Sequence, residues 1–257
     1  MREITVEQIV DCLLSLGLKG GDGVLVHSAL QFLGMPCNGV SDYGAAFFSV
    51  LEMDAQDVNN SKGTLAVPTF NFAFAKGEAY DAQTTPSKGM GVFAEYIRTL
   101  PDAKRTSHPM QSFALFGAKA EEISQRDTPG AFDAGSAFER MLELDFKLLL
   151  LGADIQAVSA VHYCEQRVKV PYRYWKEFSG QILTAEKWET YIYRMYVRDM
   201  RLNPQLKFYP IQELLKQRGL WVERQLNYGL VSLCSLQDFI QAGDDILRAD
   251  VNALMRK

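Results

Sequence analysis

Ser159, His162 and Glu165 stand three residues apart, a hydroxyl, an imidazole and a carboxylate. On a helix that spacing places all three roughly along one face, leaning toward the helix start. An imidazole has an unperturbed pKa near ~6.5, and a neighbouring carboxylate raises its basicity and fixes its tautomer. The pair therefore suits taking a proton from an attacking amine or hydroxyl near neutral pH. The same spacing also describes a core histidine in an ordinary i, i+3 pair with Glu165, and His-x-x-Glu alone does not separate the two.

The elements that must position this trio are legible around it. Leu148 to Leu151 form a continuous apolar run ending at Gly152, which reads as a strand buried on both faces in a sheet covered by helices on both sides. Ser159 caps the helix that follows, and Pro171 limits its far end. Upstream, Thr5 and Gln8 form a capping box that opens a helix over 6–17. Val24 to Val26 is a short buried strand delivering His27 and Ser28 at its C-terminal end, where open α/β sheets place ligand contacts. A loop hydrogen bond is the plainer reading of both.

Tyr43 to Met53 reads as a helix, and Thr64 to Phe70 as a second buried strand ending in a polar and aromatic loop. Residues 84–91 make a glycine-flanked turn into a helix running to about Leu100, a seat for an anion or an extended polar ligand. The order of glycine, lysine and hydroxyl there is not that of a P-loop. Residues 104–109 gather two cations, two hydroxyls and an imidazole before the apolar run Phe113 to Phe116. That set suits a phosphate as well as it suits a solvated basic turn. Helices are predicted over 137–143 and 210–218, strands at Trp221 to Leu226 and Leu230 to Cys234, and a final helix capped at Ser235. The pattern predicts an α/β fold: a central mixed, mostly parallel sheet flanked by helices, with an antiparallel β-rich insertion near 173–201, all of 1–257 forming one domain.

Composition narrows the class of function. The chain has 257 residues, 47% hydrophobic and 23% charged, with a net charge of −4. That is an ordinary globular balance, without the basic footprint of a nucleic-acid partner. Its apolar runs fall short of the ~20 residues that span a bilayer, and the N-terminus lacks a signal-peptide pattern, so no membrane partner and a cytoplasmic location are expected. Four scattered cysteines without a CxxC argue for reduced thiols and against a zinc site. Only three histidines occur, with no His-x-x-x-His pair, which disfavours a metal hydrolase and leads to no expected metal.

Several stretches, taken in order, resemble the aminoglycoside 3-N-acetyltransferases. They are His27-Ser28-Ala29-Leu30 with Leu33-Gly34, Gly63 through Phe70, Pro86-Ser87 with Met90-Gly91, Arg105 through Pro109 with Ser112, Glu143 through Gly152, and Ser159-Ala-Val-His162 with Glu165. The resemblance covers residues 5–172 well and the last 80 or so more loosely. It implies transfer of an acetyl group from acetyl-CoA, as co-substrate, to the amine of an amino sugar. By that resemblance His162 is the general base, Glu165 its orienting carboxylate, and Ser159 the donor to the thioester oxyanion. Ser28, Met90, Gly91, Arg105, Ser107 and His108 match stretches lining the coenzyme A side. Ala29, Ala137 and Tyr163-Cys164 depart from the family pattern without removing a proposed catalytic group.

The largest departure is electrostatic. From Arg167 to Arg201 eight cations face four acids in an otherwise acidic chain. Aminoglycosides are polycations, and a site for them should be rich in carboxylates. The positive segment favours an anionic acceptor, such as a nucleotide-linked or acidic amino sugar of surface-polysaccharide biosynthesis. Asn71, Tyr172, Arg173 and Arg198 are the expected substrate contacts. The aromatic stretch Tyr191 to Tyr196 suits packing against a sugar or against a second subunit in a homodimer. Two rivals stand beside this reading. One is a cysteine acyltransferase using Cys164, although residues two apart on a helix diverge. The other is a non-catalytic protein that binds coenzyme A or a sugar.

Overall fold

A computed structural model describes residues 3–202 and 204–255. The chain runs α1 (Val6–Ser15), β1 (Gly23–Ser28), α2 (Val40–Leu51), β2 (Thr64–Pro68), α3 (Gly91–Arg98), β3 (Lys104–Arg105), β4 (Phe113–Gly117), α4 (Ala120–Ser124), α5 (Ala137–Glu143) and β5 (Lys147–Leu151). It continues with α6 (Val161–Val168), β6 (Arg173–Thr184), β7 (Lys187–Arg198), α7 (Tyr209–Gln217), β8 (Val222–Leu226), β9 (Gly229–Ser235) and α8 (Leu236–Ala249). The capping box at Thr5 and Gln8 is formed, and Ser235 caps α8.

Seven strands make one sheet in the order β3-β4-β2-β1-β5-β9-β8. Alternation of side chains across the pleat divides its core in two. Leu25, Ala66, Leu148 and Leu150 pack with residues of α4 to α8, whereas Val24, Val26, Leu65, Val67, Leu149 and Leu151 pack with those of α1, α2 and α3. The expected mixed sheet with helices on both faces is therefore present, and Leu148 to Leu151 are buried on both sides. The expected balance of directions is corrected. Only β1–β2 and β1–β5 pair in parallel, while β2–β4, β3–β4, β5–β9 and β8–β9 are antiparallel. Buried runs in the centre resemble parallel strands, but burial on two faces comes from the flanking helices and is indifferent to direction.

The basic segment forms a separate hairpin, β6 paired with β7 from Arg173↔Arg198 to Thr184↔Lys187. Backbone bonds tie it to the body: Tyr80 N–H donates to Gln181 O at 2.9 Å, Leu183 N–H to Tyr80 O at 3.0 Å and Arg194 N–H to Pro129 O at 2.7 Å. Ile182 and Tyr193 are buried there with Phe74, Tyr80 and Met110. The stretch Tyr191 to Tyr196 thus packs against its own chain through Tyr193, while Ile192 remains exposed. Among the described residues no helix is long and apolar enough to cross a membrane.

Candidate active site

The hairpin leans over the C-terminal ends of β1, β2 and β5 and encloses with them a cavity of about 590 Å³. Its wall includes His27 from β1, Phe70 and Phe72 beyond β2, Ser159 and His162 from the start of α6, and Phe178, Tyr196 and Arg198 from the hairpin. A wall at strand C-termini follows from the parallel centre of the sheet, where loops after adjacent strands open apart.

His162 stands in the first turn of α6. Its Nδ1 lies 2.6 Å from Glu165 Oε2, so the carboxylate holds the proton on Nδ1 and leaves Nε2 as acceptor. Glu165 is fully buried, whereas 29% of the His162 side chain is exposed. Burial pulls the imidazole below its ordinary range; the Glu165 hydrogen bond and charge oppose this, and Arg173 and Arg198 add to it. Burial would by itself raise Glu165, but the His162 hydrogen bond and the neighbouring positive charge hold its carboxyl below the usual range. At neutral pH the site therefore holds a neutral imidazole beside a carboxylate, the protonation state a general base needs.

Arg173 completes the group. Its Nη1 donates to Tyr196 O at 2.9 Å, and Nη2 lies 3.1 Å from His162 Nδ1. Its Nε lies 2.8 Å from Glu165 Oε2 as an ion pair, off the direction of a hydrogen bond. Arg173 thus compensates the buried charge of Glu165 and joins α6 to the hairpin.

Ser159 differs from expectation. The helix begins at Val161 with Ala160 as its N-cap residue and no side-chain cap. Ser159 lies in the turn before it, its backbone carbonyl accepting from His162 N–H at 3.0 Å. Its hydroxyl is buried without a hydrogen-bond partner, on the cavity wall. Freed from capping, the hydroxyl is available to a ligand.

The other expected contacts divide. Arg198 and Met90 line this cavity. Ser28 and Gly91 border a second one of about 470 Å³. Gly91 has φ +86°, and a Cβ there would come within 3.4 Å of Ser28 O, so a glycine lets α3 start against the end of β1. Arg105 is corrected: its guanidinium donates to Thr69, Ala82, Thr85 and Ser112 and lies over the Tyr80 ring, which commits it to the protein rather than to a phosphate. His108 is likewise committed, its Nδ1 accepting from Gln111 N–H at 3.1 Å and its Nε2 lying 3.3 Å from Arg194 O. Ser107, in the same turn, lines neither of the two cavities. Asn71 brackets a loop, donating to Pro86 O at 2.8 Å and accepting from Ala73 N–H at 2.9 Å. Tyr172 is 1% exposed, and burial together with the charge of Glu165 pushes its phenol up. It sits away from the wall rather than on it.

Cys164 is fully buried with its thiol 3.6 Å from Ile240 O, and burial pushes that thiol well up. It points toward α8, away from His162, which removes the cysteine nucleophile. The sequence reading underused His27. It is 5% exposed, and its Nε2 is buried without a partner on the cavity wall. Its place at the end of a buried strand was the available signal.

The sequence model of the aminoglycoside 3-N-acetyltransferase family matches residues 25–248. Aminoglycoside N(3)-acetyltransferase III of a Salmonella species is 28% identical over 189 residues, covering 70% of this chain and 66% of that protein. The SPbeta prophage-derived aminoglycoside N(3')-acetyltransferase-like protein of Bacillus subtilis (strain 168) is 32% identical over 184 residues, covering 66% of each. The aligned stretch thus spans just under two thirds of these relatives' length. A solved structure of AAC-IIIb in binary complex with CoASH superposes with a TM-score of 0.82 at 18% identity, over 96% of this chain and 97% of that one. With the fold shared end to end and the family model matching from β1 into α8, this chain belongs to the aminoglycoside 3-N-acetyltransferase family.

Proposed function

We propose that this protein is an acetyl-CoA-dependent N-acetyltransferase acting on the amine of an amino sugar by direct transfer. The observation that carries the reading is the His162–Glu165 contact at 2.6 Å at the edge of the cavity. The amine nitrogen attacks the thioester carbonyl carbon and passes its proton to His162 Nε2. The resulting imidazolium is stabilised by Glu165, and the Ser159 hydroxyl donates to the oxyanion. Collapse breaks the C–S bond, and the departing thiolate takes the proton from His162. The second cavity, beside Ser28 and Gly91, suits the arm of coenzyme A, and Met90, next in sequence to Gly89 and Gly91 on its border, lines the first.

The names of the relatives support an aminoglycoside as acceptor. A second reading rests on the wall itself. Among the described residues that line the cavity, Arg173 and Arg198 are charged and none is a carboxylate, which favours a nucleotide-linked or acidic amino sugar over a polycation. Free-thiol release with acetyl-CoA, measured across aminoglycosides and nucleotide-linked amino sugars, separates the two. Turnover on one class should fall about a hundred- to ten-thousand-fold in His162→Ala. Undiminished turnover in that variant removes His162 as the base.

A further inference from the structure

We propose that His27 is a second hydrogen-bond donor to the acyl oxygen, acting beside Ser159; this rests on the acetyl-transfer reading of the same site. Three buried polar atoms without a hydrogen-bond partner belong to residues on one cavity wall; Arg173 Nε is ion-paired with Glu165, which leaves Ser159 Oγ and His27 Nε2 with no partner of any kind. Leaving a buried polar group unpaired is costly, so a pair of them on one cavity points to a ligand atom that satisfies both. They come from neighbouring strand ends. In the β1–β5 register His27 stands opposite Leu150 and Ser28 opposite Leu151, and the chain continues from Leu151 to Ser159.

The second cavity bears on the same point. Ser28, Gly89 and Gly91 border it, while their chain neighbours His27 and Met90 border the first. The end of β1 and the start of α3 therefore border both cavities, the second one and the one that His27 and His162 share.

The two histidines differ in what surrounds them. His162 has Glu165 on Nδ1 and is made an acceptor at Nε2. Burial alone sets His27, lowering it to about 4, so it stays neutral at working pH and with Nε2–H donates without releasing its proton. No proton moves through His27 in the reaction. The C–N bond forms, the amine proton goes to His162, the C–S bond breaks, and His27 stabilises the negative charge that develops on oxygen in between.

The test is isotope-edited infrared spectroscopy of [1-13C]acetyl-CoA bound to the whole protein, with turnover measured alongside. In the wild type the bound carbonyl band should lie below that of free acetyl-CoA. In His27→Leu it should return toward the free value, with His27→Gln, which keeps a neutral donor, in between. In the same series kcat should fall about a hundred- to a thousand-fold for His27→Leu while KM for the acceptor stays level. His27→Phe fills the imidazole's space and replaces the leucine variant if that one does not fold. A carbonyl band identical in the wild type and the apolar variants overturns the proposal. Binding with a shifted band but no transfer to any amine would overturn the acetyl-transfer reading and leave His27 supported as a carbonyl donor. Failure of the wild type to bind acetyl-CoA overturns both.

Discussion

At the scale of single residues, the site depends on how three charges set one imidazole. Glu165 raises His162, while burial and the charges of Arg173 and Arg198 lower it. The acid limb of kcat/KM should therefore lie below the ordinary histidine range, with activity rising as pH increases through it. The signs of two variants follow. Glu165→Gln removes the raising charge and moves the limb to lower pH, with a loss of stability because Arg173 keeps a charge it was compensating. Arg198→Gln removes a lowering charge at an exposed position and moves the limb up. Both profiles are measured against the wild type on one acceptor, so that the amine's own ionisation is common to all. Limbs that stay in place would mean that another group governs the profile.

At the scale of elements, the hairpin decides the shape of the cavity, and its turn is its weakest point. Ala185 and Glu186 both have positive φ, 45° and 66°. Two such residues joining paired strands is the arrangement that asparagine and glycine adopt without strain. The double substitution Ala185→Asn with Glu186→Gly should raise stability by about 1 kcal/mol, read as a higher denaturant midpoint, with acetyl transfer unchanged. The hairpin itself was legible, because aromatic and charged residues alternate from 173 to 201. Its attachment through Tyr80, Pro129 and Asp133 was not, since those partners are distant in sequence and the bonds are largely backbone.

At the scale of the whole molecule, His27 and His108 are folded away from water, and burial lowers each to about 4. Their folded values lie below the unfolded value of ~6.5, so the unfolded chain binds more protons once pH falls below it. The stability they contribute is complete above about pH 6.5, declines down to about pH 4 and is flat below. Each site accounts for roughly 3 kcal/mol across that window. Denaturant unfolding at half-unit steps from pH 7 to 4 checks this, and a flat profile over that range would contradict it. Loss from paired carboxylates such as Glu165 begins only lower, below about 4.5, because their folded values are depressed.

Local chemistry was enough to locate most elements: the capping box at Thr5, the buried run Leu148 to Leu151, the cap at Ser235, and the three-residue step from His162 to Glu165. These are short-range patterns, and helix and strand geometry repeats within a few residues. Strand direction was different. The antiparallel entry of β9 beside β5 depends on the connection through the hairpin, α7 and β8, and burial looks the same either way. The fate of polar side chains was also a tertiary matter. Arg105, His108 and Asn71 have the composition of a binding loop, yet their donors and acceptors are taken up by distant segments of the chain. Ser159 looked like a helix cap and proved to be an unpartnered hydroxyl, and His27 looked like an incidental loop residue and proved to be its neighbour on the wall. Residue type and spacing determine what a side chain is able to do; packing decides which of those groups are left with an unmet hydrogen bond facing an open space, because only there is a ligand needed to complete them.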